Sequence, residues 1–176
     1  MAGLQTNPSV LQAGKKYLDI CATGPYRCEF SYMPGGGPTY TMTSVGLLTS
    51  QYLGAKRDDP VIASGIDYLM RRKPEISDRN SYYWYYATQV MHNVPGPQWD
   101  AWNRQMRRLL IETQERNSSA CANGSWNPNQ PEPDRWGTQG GRLMVTSLCC
   151  LTLEVYYRYL PLYKLDSAEK DMNKVQ

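Results

Sequence analysis

Histidine and phenylalanine are nearly missing from this chain of 176 residues, which holds one of each, His92 and Phe30. A single imidazole with scattered cysteines gives no plausible zinc ligand set. The lone Phe30 stands against 14 tyrosines, so most large rings carry a hydroxyl that needs water or a partner, which suits helix interfaces that are partly wet. No CxxC spacing is present: the five cysteines are Cys21, Cys28, Cys121, Cys149 and Cys150, an odd number without a zinc clip or a disulfide framework. Reduced, mostly buried thiols are expected, with no metal and no cofactor. A long apolar run is missing too, and nothing reaches the roughly 20 residues of a membrane span. The first thirty residues include Asp19, Arg27 and Glu29 and show no signal peptide. The expectation is a soluble chain, cytoplasmic by default, although the opening MAGLQTNPSV equally suits a start placed inside a longer protein. Charge of one sign is also scarce. Lys+Arg 19 against Asp+Glu 16 gives a net charge of +3, spread over short clusters such as Lys15-Lys16, Arg71-Arg72-Lys73 and Arg107-Arg108. Nucleic acid binding needs a concentrated basic face, so no nucleic-acid partner is expected.

What the chain does have is helical periodicity. Its length suits one domain with a real core. Asn7-Pro8 and Asp59-Pro60 each pair an N-cap residue with proline at the first helical position, where its missing N–H does no harm. Val10, Ala13, Gly14, Tyr17, Leu18 and Cys21 follow the first cap at helical spacing, and Ile62, Gly65, Ile66 and Leu69 follow the second. A third helix follows Gly96-Pro97, with Trp99, Trp102, Met106, Leu109 and Leu110 on one side and Arg104, Arg107 and Arg108 mostly on the other. Between these helices, residues 30–55, 80–99 and 143–153 contain no Asp, Glu, Lys or Arg. Each of those stretches includes a helix-length run, and a helix without charge on any side is expected to be buried nearly all round. The Thr and Val content of TMTSVGLL and VTSLCCLTL also suits strands, but both exceed ordinary strand length.

The pattern, charged-face helix, loop, uncharged helix, therefore occurs three times at spacings of about 50 and about 37 residues, as in helical repeat arrays. The reading is all-α: a toroid-like array of about three outer/inner helix pairs, an incomplete α/α toroid. It assigns residues 1–163 to a single repeat domain and 164–176 to a polar C-terminal tail. The loops MPGGGP and NGSWNPNQPEPDRWGTQGG are too long for simple hairpin turns.

Gln114, followed by a short loop and Gly124-Ser125-Trp126, resembles the QW motif of the squalene-hopene cyclase and prenyltransferase repeat superfamily, whose outer and inner helix pairs form an α/α toroid. PGGGPTYTMTSVGLLTSQYLG, DRNSYYWYYATQVMH and DRWGTQGGRLMVTSLCCLTLEVYYRYLPLY are similar to segments of bacterial proteins carrying these repeats, especially those of planctomycete type. The resemblance spans roughly residues 9–163, with the QW motif itself clear in the third unit only. It implies that Gln114 bonds backbone near the start of the next inner helix and that Trp126 lies against it under the loop, a structural strut.

The superfamily's chemistry is harder to find in this chain. The Asp-x-Asp-Asp acid of its class II cyclases is missing; Asp58-Asp59 opens a helix, where capping accounts for Asp59. A zinc site of the prenyltransferase kind needs a histidine, and His92 reads as an interfacial side chain near the end of an inner helix. Cys149-Cys150 lacks the surroundings of an internal thioester and reads as small core packing. GGGP and TQGGR lack the flanks and the lysine of a phosphate loop. One cluster could bind something: Tyr82, Tyr83, Trp84, Tyr85 and Tyr86, five consecutive rings that must point to every side of a helix start. With His92, they are the candidate ligand-binding residues. The expected role is a non-catalytic repeat module for binding or assembly, paired with itself or with the rest of a longer parent protein. The alternative is a domain that binds an isoprenoid or other lipid in an aromatic inner groove.

Overall fold

The structure, a computed structural model, describes residues 6–158; the last residues of the expected repeat domain, 159–163, and the expected tail, 164–176, lie outside the described residues. Those described form an all-α fold of seven α-helices with one short β-hairpin. The chain divides into two compact units, Met1–Leu69 and Met70–Gln176.

In the first unit, the Asn7 side chain accepts a hydrogen bond from the Ser9 amide at 3.0 Å and opens α1, Pro8–Cys21. The apolar stripe of this helix stays largely bare. Val10, Ala13, Gly14 and Tyr17 are exposed, Leu18 is half-buried, and Cys21 alone is buried. Only the C-terminal end of α1 meets the rest of the unit, because the chain turns there into β1, Ala22–Thr23, and β2, Glu29–Phe30, an antiparallel pair that pairs Ala22 with Phe30. The amide of Phe30 donates to the Thr43 hydroxyl at 3.0 Å and ties the hairpin to α2, Tyr40–Tyr52. Two glycines set the packing. A Cβ at Gly46 would lie 2.3 Å from Cγ of Phe30, and one at Gly65 would lie 2.4 Å from a Leu47 methyl, so each gap admits one large side chain. Gly65 belongs to α3, Pro60–Met70, whose first turn is capped by Asp59 accepting from the Val61 amide at 2.9 Å. Tyr40, at the start of α2, stacks on Tyr68, near the end of α3, at 4.4 Å, so the two helices run antiparallel.

The second unit is built around α4, Ser81–Asn93, which packs against both α5, Pro97–Thr113, and α6, Gly137–Leu153. Every α4 residue from Ala87 to Asn93 is buried, together with Ser81, Tyr83 and Trp84. On α5 the expected division holds: Trp102, Met106 and Leu110 are buried, while Arg104, Arg107 and Arg108 are exposed. The third uncharged run departs from expectation twice. Its helix starts earlier than expected, inside the glycine loop: α6 begins at Gly137, kinks at Gly141, whose φ of 61° and ψ of −166° break the helical path, runs on through the uncharged residues 143–153, and stops at Leu153 before a separate short helix, α7, Val155–Arg158. Second, α6 is not buried all round. Val145, Cys149 and Thr152 form one buried edge, and Leu143, Ser147 and Cys150 on the opposite side are exposed. Thr, Ser and Cys carry no charge yet tolerate water, so lack of charge in this run does not require burial.

Candidate functional site

The second unit brings most of the candidate residues around α4, and the sequence prepares its first turn. Asn80 is the N-cap, its side chain accepting from the Tyr83 amide at 3.0 Å. On either side of that cap lies a pair of buried charges that the sequence reading passed over, Arg79 and Asp134. The Arg79 guanidinium donates to the carbonyls of Gln130 at 2.7 Å and Glu132 at 3.1 Å. One Asp134 oxygen accepts from the Ser81 amide at 2.8 Å and the other from the Trp136 amide at 3.0 Å. A backbone bond from Arg135 to the Arg79 carbonyl, 2.9 Å, completes the clamp. Burial pulls the Arg79 pKa down, and the nearby Asp134 charge opposes that pull. The clamp fastens the long loop before α6 to the start of α4. Its only sequence signal is a charge on each side of an uncharged run, DRN before it and DRW far after it.

The five-ring run separates into two kinds of side chain. Tyr83 and Trp84 are core: Tyr83 is edge-on to Trp102 at 6.0 Å and donates its hydroxyl proton to the Arg72 carbonyl at 2.9 Å. Tyr82, Tyr85 and Tyr86 are half-buried. Tyr82 lies 4.9 Å from Tyr86 and 6.1 Å from Trp136, and Tyr85 meets Tyr86 edge-on at 5.0 Å. These rings and the partly exposed Trp136 form one continuous aromatic surface. His92 is elsewhere, at the other end of α4, where it is buried edge-on to Trp99 at 5.1 Å and to Tyr156 at 6.1 Å. Sequence grouped His92 with the tyrosines, but these ring contacts place it in a separate aromatic cluster. Burial raises the Tyr156 pKa, opposed by its hydrogen bond to Asn103.

Gln114 follows directly on the last residue of α5, and its side-chain amide donates to the Gly124 carbonyl at 2.8 Å. That acceptor lies in the loop, well before α6, and not at the start of the next helix where the resemblance would put it. Backbone bonds of 2.8 Å from Glu115 to Ser125 and from Gly124 to Glu115 close the same loop. Trp126 is 2 % exposed, donates its indole N–H to the Leu110 carbonyl of α5 at 2.9 Å, and donates its main-chain amide to the Thr146 hydroxyl of α6 at 3.1 Å. Ser125 accepts from Arg142 at 2.9 Å. Trp126 thus joins α5 to α6, and Gln114 holds the loop that delivers it.

Little in this arrangement is reactive. Burial pushes the Cys149 thiol up to about 12, with the Arg79 charge opposing, so at neutral pH it is a protonated, weakly nucleophilic group. Among the described residues no group of three or more His, Cys, Asp or Glu side chains is gathered as a metal would require, and no helix is long and apolar enough to cross a membrane. No family model matches the chain, and no curated protein and no solved structure matches it either.

Proposed function

We propose that this chain is a non-catalytic helical module that works by assembly, through the open side of α6, and that its partner is a second copy of itself. The carrying observation is that open side. Leu143 is 81 % exposed, and Ser147 and Cys150 follow it at i+4 and i+7, so one face of a helix presents an apolar side chain and two small ones to solvent. The face carries no charge from Leu143 to Leu153. When identical surfaces meet across a two-fold axis, any charge meets its own copy nearby, so an uncharged, close-packing face suits an isologous contact. In a repeat reading, an array of about three helix pairs would leave such a face open, and the toroid family's repeat architecture supports it by resemblance only.

Sedimentation velocity at micromolar concentration tests the proposal. The expected result is a dimer that Leu143→Glu converts to monomer with unchanged circular dichroism, and mild oxidation is expected to cross-link two chains through Cys150. A monomer at every concentration, or a dimer indifferent to Leu143→Glu, would falsify it.

A second reading, a site for an isoprenoid or another lipid, rests on the surface of Tyr82, Tyr86 and Trp136, where tilted half-buried rings offer apolar area without charge. Native mass spectrometry of the purified protein would show a copurified lipid, lost in Tyr82→Ala/Tyr86→Ala.

A further inference from the structure

The first unit holds a cleft of about 670 Å³ that the assembly reading leaves unused. Its floor is apolar, with Leu18, Phe30, Leu53 and Val61 among its residues, and its rim carries both signs of charge: Lys15 and Lys56 against Asp19 and Asp58. Among the described residues none of these four is engaged in an ion pair. The other two charged rim residues are committed locally: Asp59 caps α3, and the Arg27 guanidinium donates to the main-chain carbonyl of Asp19. The cleft thus offers free cations and free anions over an apolar floor, within the size range of small-molecule sites.

The turn beside it is strained. Tyr26 and Arg27 are consecutive non-glycine residues in the left-handed region, at φ of 53° and 57°, a conformation uncommon for one such residue. Backbone bonds from Arg27 to Gly24 at 3.1 Å and from Cys28 to Pro25 at 3.2 Å hold the turn. Burial does not repay the strain, since the Tyr26 ring is 68 % exposed. Backbone strain that yields no packing is a mark of functional positions, and what this turn achieves is to set an aromatic ring and Arg27 at the rim of the cleft.

We infer that the cleft binds a small zwitterion with an apolar body, of the size of a short peptide or an aromatic amino acid. Its carboxylate meets Lys15 and Lys56, its ammonium meets Asp19 and Asp58, and its apolar part lies on the floor beneath the Tyr26 ring. All four rim charges are exposed and hydrated; a simple anion would meet the aspartates as well as the lysines, and a simple cation the lysines as well as the aspartates, whereas a zwitterion offers each its opposite. This inference concerns different residues from the assembly face, so dimerisation data do not bear on it.

The test is isothermal titration of the full chain with L-alanyl-L-phenylalanine, its N-acetyl derivative and its C-terminal amide. Expected are saturable binding of the free dipeptide and at least tenfold weaker binding of each derivative. Lys56→Gln and Asp58→Asn, both at exposed positions, are expected to weaken binding by a similar factor with unchanged circular dichroism. Tyr26→Gly removes the ring and relieves one of the two left-handed residues, Arg27 keeping its φ of 57°, so it is expected to lower affinity while the Tm stays at or above that of the parent. Absence of saturable binding at millimolar dipeptide, equal binding of all three compounds, or wild-type affinity in the Lys56 and Asp58 variants overturns the proposal.

Discussion

Two helices of the second unit, α4 and α6, come from sequence runs that are equally free of charge, yet they occupy opposite environments. Helix α4 lies between α5 and α6 and is buried along its length from Ala87 to Asn93. Helix α6 meets the core along a single edge, Val145, Cys149 and Thr152. The difference lies in side-chain size. The α4 run supplies Tyr83, Trp84 and Met91, whose apolar area is large enough to need neighbours on several sides. The α6 run supplies Thr, Ser and Cys between its leucines, residues that gain little from burial and lose little in water. Lack of charge permits burial; bulky apolar area makes it favourable.

The largest expected effect tests that contrast. Trp84→Ala on α4 removes a ring that is 2 % exposed and is expected to cost about 3 to 5 kcal/mol of unfolding free energy, whereas Leu143→Ala on the open side of α6 is expected to fall within about 0.5 kcal/mol of the parent under monomeric conditions. Trp126→Ala belongs with the first group, because its ring is buried and its indole N–H is bonded to α5. Urea melts of the three variants decide it. Equal losses at Trp84 and Leu143 would mean that the open side of α6 is packed in solution.

A smaller effect separates the two edges of α6 itself, at neighbouring cysteines. Cys149 faces the core with its pKa raised from 9.0 to about 12, while Cys150 is exposed. A thiol whose folded pKa is raised stays protonated in the native state after the unfolded state has ionised, so its contribution is present below about pH 9 and is lost as pH rises toward about 12. The loss is on the order of a few kcal/mol at most across that window. Stability measured from pH 8 to pH 11 is expected to fall more steeply in the parent than in Cys149→Ala, and Cys150→Ala is expected to change the slope less. At neutral pH a maleimide reagent is expected to modify Cys150 and spare Cys149 in the folded protein. Early modification of Cys149 would contradict the buried edge.

How far the sequence could be read follows the same physics. Caps were legible because they are local: Asn7 and Asp59 make the bonds that their position before a proline suggests. The stripes on α3 and α5 were legible because Ile62, Ile66 and Leu69, and Trp102, Met106 and Leu110, repeat there at helical spacing. The stripe on α1 misled, since Val10 and Tyr17 have the right spacing but no part of the described unit covers them. The kink at Gly141 was hidden among glycines that could equally have been loop. At the candidate site, the ring cluster was visible as five consecutive aromatics, but its division into core and surface depends on where α5 and Trp136 pack. The clamp of Arg79 and Asp134 escaped because its partners are far apart in sequence and two of them are main-chain carbonyls, which no residue identity announces.

The smallest expected effect concerns Gln114, and it asks whether the loop delivering Trp126 needs a side chain to hold it. The amide bond to the Gly124 carbonyl is solvent-accessible, so deleting it leaves an acceptor that water can reach, and the expected cost of Gln114→Ala is about 1 kcal/mol. Backbone bonds between Glu115 and Ser125 and between Gly124 and Glu115 remain in the variant and keep the loop closed. Trp126 should therefore stay buried, and its fluorescence spectrum, read in a background where the other tryptophans are replaced by phenylalanine at tolerant positions or assigned by indole NMR, should not change. A Gln114→Ala loss as large as that of Trp126→Ala, with a shifted Trp126 indole resonance, would mean that the glutamine positions the tryptophan outright and that the two act as one unit. A loss near 1 kcal/mol with an unmoved resonance means that α5 and α6 hold the ring, through the Leu110 carbonyl and the Thr146 hydroxyl, and that the glutamine only fastens the loop around it.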